Sequence, residues 1–97
     1  MSPTPPPYTR VEARDVVRRA VVEGAITYAK PHAIDRMRKH GLTMVDVENV
    51  LRAGAVGEPE WENGAWRYHV RTNRIEVIVE FWPGGRIFVP TVWRITR

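Results

Sequence analysis

The stretch from Pro31 to Gly54, PHAIDRMRKHGLTMVDVENVLRAG, most constrains the fold. Ala33, Ile34 and Met37 recur at helical spacing, so this segment begins as a helix with one apolar stripe. Pro31 suits the first helical turn, where a missing N–H costs nothing. Gly41 can adopt the left-handed conformation that ends a helix. Thr43 followed by Asp46 predicts a capped second helix, with Met44, Val47, Val50 and Leu51 as its apolar stripe and Gly54 as its end. Two helices joined at a His-Gly-Leu-Thr corner follow. The first carries His32, Arg36, Lys39 and His40 on its other side, because i, i+4, i+7 and i+8 share a face. His32 and Arg36 together offer an acid–base group one turn from a fixed positive charge. A histidine that only holds the hairpin to a sheet is the competing reading.

The rest of the chain reads as helix, strand, hairpin helices and a β-meander. Thr9 and Glu12 form a capping box ahead of a helix to Glu23, with Ala13, Val16, Val17, Ala20 and Val21 facing inward. Arg10, Arg14 and Arg18 share its outer face, as a solvated edge or a phosphate contact. Ala25 to Lys30 alternates like a short edge strand. Short strands flank Gly57-Glu58-Pro59, and Asn63-Gly64 signals a tight hairpin turn. From Trp66 the period becomes two. Trp66, Tyr68 and Val70 point one way, and Arg67, His69 and Arg71 the other. Ile75, Val77, Val79 and Phe81 oppose Glu76, Ile78 and Glu80. A final strand from Arg86 to about Ile95 is apolar on both faces, as a central strand is, but Pro90 requires a bulge or an edge. The expected class is α+β: an antiparallel three- to four-stranded sheet with two or three helices packed on one face. Residues 1–8, with four prolines, read as a disordered tail, and residues 9–97 as a single domain.

Composition narrows the chemistry. The chain has 97 residues and no cysteine, so disulfides and thiolate metal sites are excluded. The three histidines do not gather in one element, and no metal-ligand spacing or Gly-rich phosphate loop is visible, so neither a metal nor a cofactor is expected. No apolar run is long enough to span a membrane and no secretory signal is evident, so the expectation is a cytoplasmic protein. Fifteen basic residues face eleven acidic ones, and thirteen of the fifteen are Arg. That bias fits either phosphate recognition or a GC-rich coding sequence. The Arg67–His69–Arg71 row is the strongest local constellation. Left open by helices on the other face, it could hold a phosphate while His69 handles a proton. Across a ladder, the same row could pair with Glu76 and Glu80.

The pattern Tyr28 to Arg38, with His-Ala-x-x-Arg-Met, then Gly41-Leu42-Thr43 and Val47 to Leu51, resembles a small bacterial domain-of-unknown-function family. That family is allied to the RelE/ParE/BrnT toxin fold, and the resemblance extends over residues 26 to 95. It implies the toxin of a toxin–antitoxin pair, a metal-independent ribonuclease acting by 2′-hydroxyl attack. A non-catalytic binding module or a gyrase-directed toxin of the same fold is the alternative. His32 and Arg36 match the family's His-x-x-x-Arg, while Arg67, His69 and Arg71 correspond loosely to catalytic positions. The C-terminal strand carries Trp93-Arg94 where active relatives often have a Tyr. Arg38, Lys39, Arg86 and Arg94 would contact RNA. The implied partners are RNA or the ribosome, a small antitoxin and, in a homodimer, a second copy of the chain.

Overall fold

The computed structural model of the chain describes residues 8–95. The expected Pro-rich tail lies outside them except for Tyr8, which is docked rather than frayed. Its ring meets Phe81 edge-on at 4.9 Å, and its carbonyl accepts a hydrogen bond from the Tyr68 hydroxyl.

The elements run α1 (Arg10–Glu23), β1 (Ile26–Tyr28), α2 (His32–Lys39), α3 (Met44–Ala53), β2 (Ala55–Val56), β3 (Glu60–Glu62), β4 (Ala65–Arg71), β5 (Ile75–Trp82) and β6 (Arg86–Arg94). Local chemistry sets the helix ends. Thr9 and Thr43 each accept from the backbone N–H three residues on, while Glu12 and Asp46 reach back to the N-cap N–H. Gly24 and Gly41 take positive φ, which ends α1 and turns the chain from α2 into α3. Gly54 has a different reason. Its backbone is extended, but an added Cβ would lie 2.6 Å from the Val50 carbonyl oxygen and 2.9 Å from that of Arg71. A side chain is excluded because the end of α3 passes directly over β4.

The class is α+β as expected, with six strands rather than three or four. The path is β1-β6-β5-β4-β2, and β3 pairs with β4 beyond it. The pairs are antiparallel except β1 with β6, which is parallel and so departs from the all-antiparallel expectation. The long path through α2, α3 and the meander brings the chain back alongside β1 in the same direction. β6 is therefore central, and its register with β5 slips between Ile78 and Glu80, opposite Val89 and Pro90. The slip accommodates a proline that cannot donate to the ladder. Asn63 and Gly64 both have positive φ, as a two-residue β3–β4 hairpin turn requires.

Buried residues of all three helices join one core with Tyr68, Val70, Val77, Val79, Ile87, Val89 and Val92 from the sheet, so the helices cover one face. Met44 does not join them. It is half exposed at the start of α3, one turn before the inward stripe of Val47, Val50 and Leu51.

Two outcomes follow. Gly54→Ala should lower stability by about 1–3 kcal/mol through overpacking. Gly57→Ala, whose Cβ would approach nothing closer than 3.5 Å, should stay within about 0.5 kcal/mol in urea titration. Equal effects would show that α3 does not sit this close to β4. The capping hydrogen bonds, backbone N–H first, hold the Glu12 and Asp46 carboxyls below their ordinary pKa values. Their contribution is present above the unfolded carboxylate pKa and is lost as pH falls through the folded one. The urea midpoint should therefore drop on acidification less in a Glu12→Gln, Asp46→Asn double variant than in the parent chain.

Candidate functional site

Alternation along β4 sends Tyr68 and Val70 into the core and Arg67, His69 and Arg71 to the helix-free face. The antiparallel register then sets Arg71 opposite Glu76 and His69 opposite Ile78, with Glu76 and Glu80 on that same face. Arg67 Nε lies 3.0 Å from Glu80 Oε2, with both side chains under a fifth exposed. The Arg71 guanidinium pairs with Glu76, whose side chain is 4% exposed. His69 Nδ1 lies 2.9 Å from the other oxygen of Glu76. The row is therefore not the open basic surface that alternation alone suggests. Arg67 is closed off, His69 is mostly covered, and Arg71 alone stays largely exposed.

The opposite side of His69 is acidic. The Asn63-Gly64 turn folds β3 back along β4, with Glu60 opposite Arg67 and Glu62 opposite Ala65. His69 Nε2 then lies 3.3 Å from Glu62 Oε2 and 3.6 Å from Glu60 Oε2. The histidine spacing in the sequence shows no carboxylate near His69, but the fold brings Glu60 and Glu62 to it, so that three donor atoms lie within 4.8 Å of one another. The signal was present in the sequence. Glu60 and Glu62 alternate around Trp61, and the tight turn after them fixes which β4 residues they face. Trp93, from β6, meets the His69 ring edge-on at 6.4 Å.

A cavity of about 370 Å³ opens beside this cluster, lined by Arg10, Glu58, Glu60, His69 and Arg71. It adjoins a second of about 340 Å³, lined by Arg10, Arg14, Arg18 and Gly54. Arg10, Ala55 and Val56 border both. The outer arginines of α1 thus form the wall of a cleft that ends at His69 and Arg71. Arg10 approaches Glu58 at 3.8 Å and Arg14 approaches Asp15 at 3.6 Å, as exposed pairs of little energetic weight.

The remaining candidates lie elsewhere. His32 is exposed in the first turn of α2, which packs on β6, two strands away from β4. His32 and Arg36 therefore do not join His69 in one site. Arg38 pairs loosely with Asp35 at 3.9 Å, and Lys39 is exposed beside it. Arg94 donates from Nε and Nη2 to the His40 carbonyl, at 3.2 and 3.0 Å, which caps the C-terminus of α2. Arg86 donates to the Thr27 hydroxyl at 3.3 Å across the β1–β6 pair. Tyr28, also at this edge, has its phenol pushed up to about 12 by burial and, secondarily, by Glu48.

The contacts of His69 give it a structural share that His32 lacks. His69→Ala removes one partner of a nearly buried carboxylate and should cost about 1–3 kcal/mol. His32→Ala should cost less than about 0.5 kcal/mol. Chemical denaturation followed by circular dichroism checks both, and similar losses in the two variants would contradict the distinction. No helix among the described residues is long and apolar enough to cross a membrane. Comparison with protein-family models, curated proteins and solved structures finds no match to this chain.

Proposed function

We propose that the chain is the ribonuclease toxin of a toxin–antitoxin pair, cleaving RNA without a metal by attack of the 2′-hydroxyl. The observation that carries this reading is the arginine-walled cleft ending at an imidazole and a carboxylate. Arg10, Arg14 and Arg18 are spaced one turn apart along α1, so they suit successive contacts to a phosphate backbone. At the end of the cleft, Arg71 supplies a guanidinium for the reacting phosphate. His69 and Glu60 line the same cavity. One takes the proton of the 2′-hydroxyl as its oxygen attacks phosphorus. The other returns a proton to the 5′-oxygen as the P–O5′ bond breaks, leaving a 2′,3′-cyclic phosphate and a 5′-hydroxyl. Arg71 and Arg10 then oppose the charge that grows on the phosphorane oxygens. On this reading His32, Arg36, Arg38 and Lys39 belong to a separate basic surface, suited to the ribosome or to a small antitoxin.

A non-catalytic binding module is the second reading. It is favoured by the ion pair of Arg67 with Glu80 and by the three carboxylates around His69.

The deciding experiment is induced expression, followed by an RNA cleavage assay with EDTA present, free and with ribosomes. Growth arrest and cyclic-phosphate ends are expected. His69→Ala should lower the cleavage rate by about 10²–10⁴. Reversing Arg10, Arg14 and Arg18 to Glu should weaken RNA binding while the fold persists. No arrest and no cleavage would sink the ribonuclease reading. Arrest that survives His69→Ala but not the arginine reversal would establish the binding module, and inhibited supercoiling with intact RNA would indicate gyrase.

A further inference from the structure

We propose that Glu60, Glu62 and His69 bind a divalent cation of the zinc type. Bonds of about 2.0–2.1 Å to nitrogen and oxygen at a tetrahedral angle place ligand atoms about 3.3–3.4 Å apart. His69 Nε2 lies 3.3 Å from Glu62 Oε2 and 3.6 Å from Glu60 Oε2, close to that edge length. Both edges that meet at His69 therefore fit within a few tenths of an ångström, and all three donor atoms lie within 4.8 Å of one another.

The ring is also oriented as a metal-bound imidazole is oriented. Its Nδ1–H donates to Glu76, and that side chain is 4% exposed and anchored on its other oxygen by Arg71. With Nδ1 committed to Glu76, Nε2 is the ring atom that meets Glu60 and Glu62, as a donor to Glu62 in the metal-free chain and as a lone pair to a bound cation. Carboxylate–histidine–metal relays are built in this way. Among the described residues, the salt-bridge partner of both Glu60 and Glu62 is His69. Two carboxylates and Nε2 converge on one point, and a divalent cation there would replace the shared proton and engage all three. One imidazole with two carboxylates suits zinc or manganese better than magnesium, which demands near-octahedral oxygen ligation. Two of the three ligands, Glu60 and His69, border the cavity, through which a cation could enter. The cation would also cross-link β3 to β4, which meet through three residue pairs.

This inference does not rest on RNA cleavage, although the two meet at one atom. A cation on Nε2 removes the lone pair needed for proton transfer, so zinc inhibits any cleavage that uses His69.

The test is calorimetric titration of the chelator-stripped full chain with zinc chloride, alongside magnesium chloride. One zinc per chain, a raised thermal midpoint and a shift of the His69 ring resonances, with those of His32 and His40 unmoved, are expected. Glu62→Gln and Glu60→Gln should each weaken zinc at least tenfold, and the Glu60 side chain is 60% exposed, so that variant keeps its fold. Glu76→Gln should weaken it by about 10–100-fold. No zinc binding, binding unchanged in Glu60→Gln and Glu62→Gln, or a shift at His32 or His40 in place of His69 would overturn the site. Magnesium binding as tightly as zinc would overturn the class of metal.

Discussion

Three helices on one face of a sheet leave the other face to be dried by its own side chains, and most of this molecule's polar architecture answers to that constraint. Ile78 lies on the uncovered side of β5, outside the main core, yet is only 2% exposed. The register places His69 on one side of it and Thr91 on the other, with Glu76 and Trp93 one row along. Arg67–Glu80 and His69–Glu76–Arg71 form a layer of paired charges around one isoleucine. Glu76 is the pivot of that layer. A carboxylate this deep is tolerated because both oxygens are engaged by cationic or hydrogen-bonding partners.

Features governed by local chemistry were legible in the sequence. Both capping boxes, the glycine turn at Gly41 and the Asn63-Gly64 hairpin each involve residues within a few positions of one another. The alternation from Trp66 to Phe81 survives intact because one face is a dry core and any slip would bury charges. What was not legible depends on partners distant in the chain. β1 and β2 read as short strands, but with three and two residues neither carries a sign of the strand it pairs with, β6 for one and β4 for the other. The parallel β1–β6 pair is a consequence of the path between them. Gly54 read as an ordinary helix terminator, but its requirement comes from the backbone of Arg71, brought there by the tertiary fold.

The candidate site divides along the same line. That Arg67, His69 and Arg71 share a face followed from period two, as did their reach to Glu76 and Glu80. The approach of Glu60 and Glu62 is encoded in the hairpin, whose Asn63-Gly64 turn delivers both carboxylates to His69, and histidine spacing alone carries no sign of it. The cleft between α1 and the β2–β4 edge has no linear signature at all. Arg10 and Arg71 border one cavity although sixty-one positions separate them in sequence. His32 and Arg36 matched a motif on one helix, yet a motif says nothing about which sheet edge that helix will occupy.

A dry outer face does not by itself require charges. Apolar residues of similar volume in place of a buried ion pair are often neutral or stabilising, so packing Ile78 would be served as well by valines at positions 69 and 76. The charged set does something that valines could not. Glu76, held by Arg71, fixes the His69 ring so that Nε2 points at two carboxylates on the margin of an arginine-walled cleft. A ring free to rotate would lose entropy each time it engaged a proton, a phosphate or a cation; this one has already lost it on folding. The site's preorganisation and the fold's covering of Ile78 are therefore one arrangement, and a substitution that loosens either will be felt in the other.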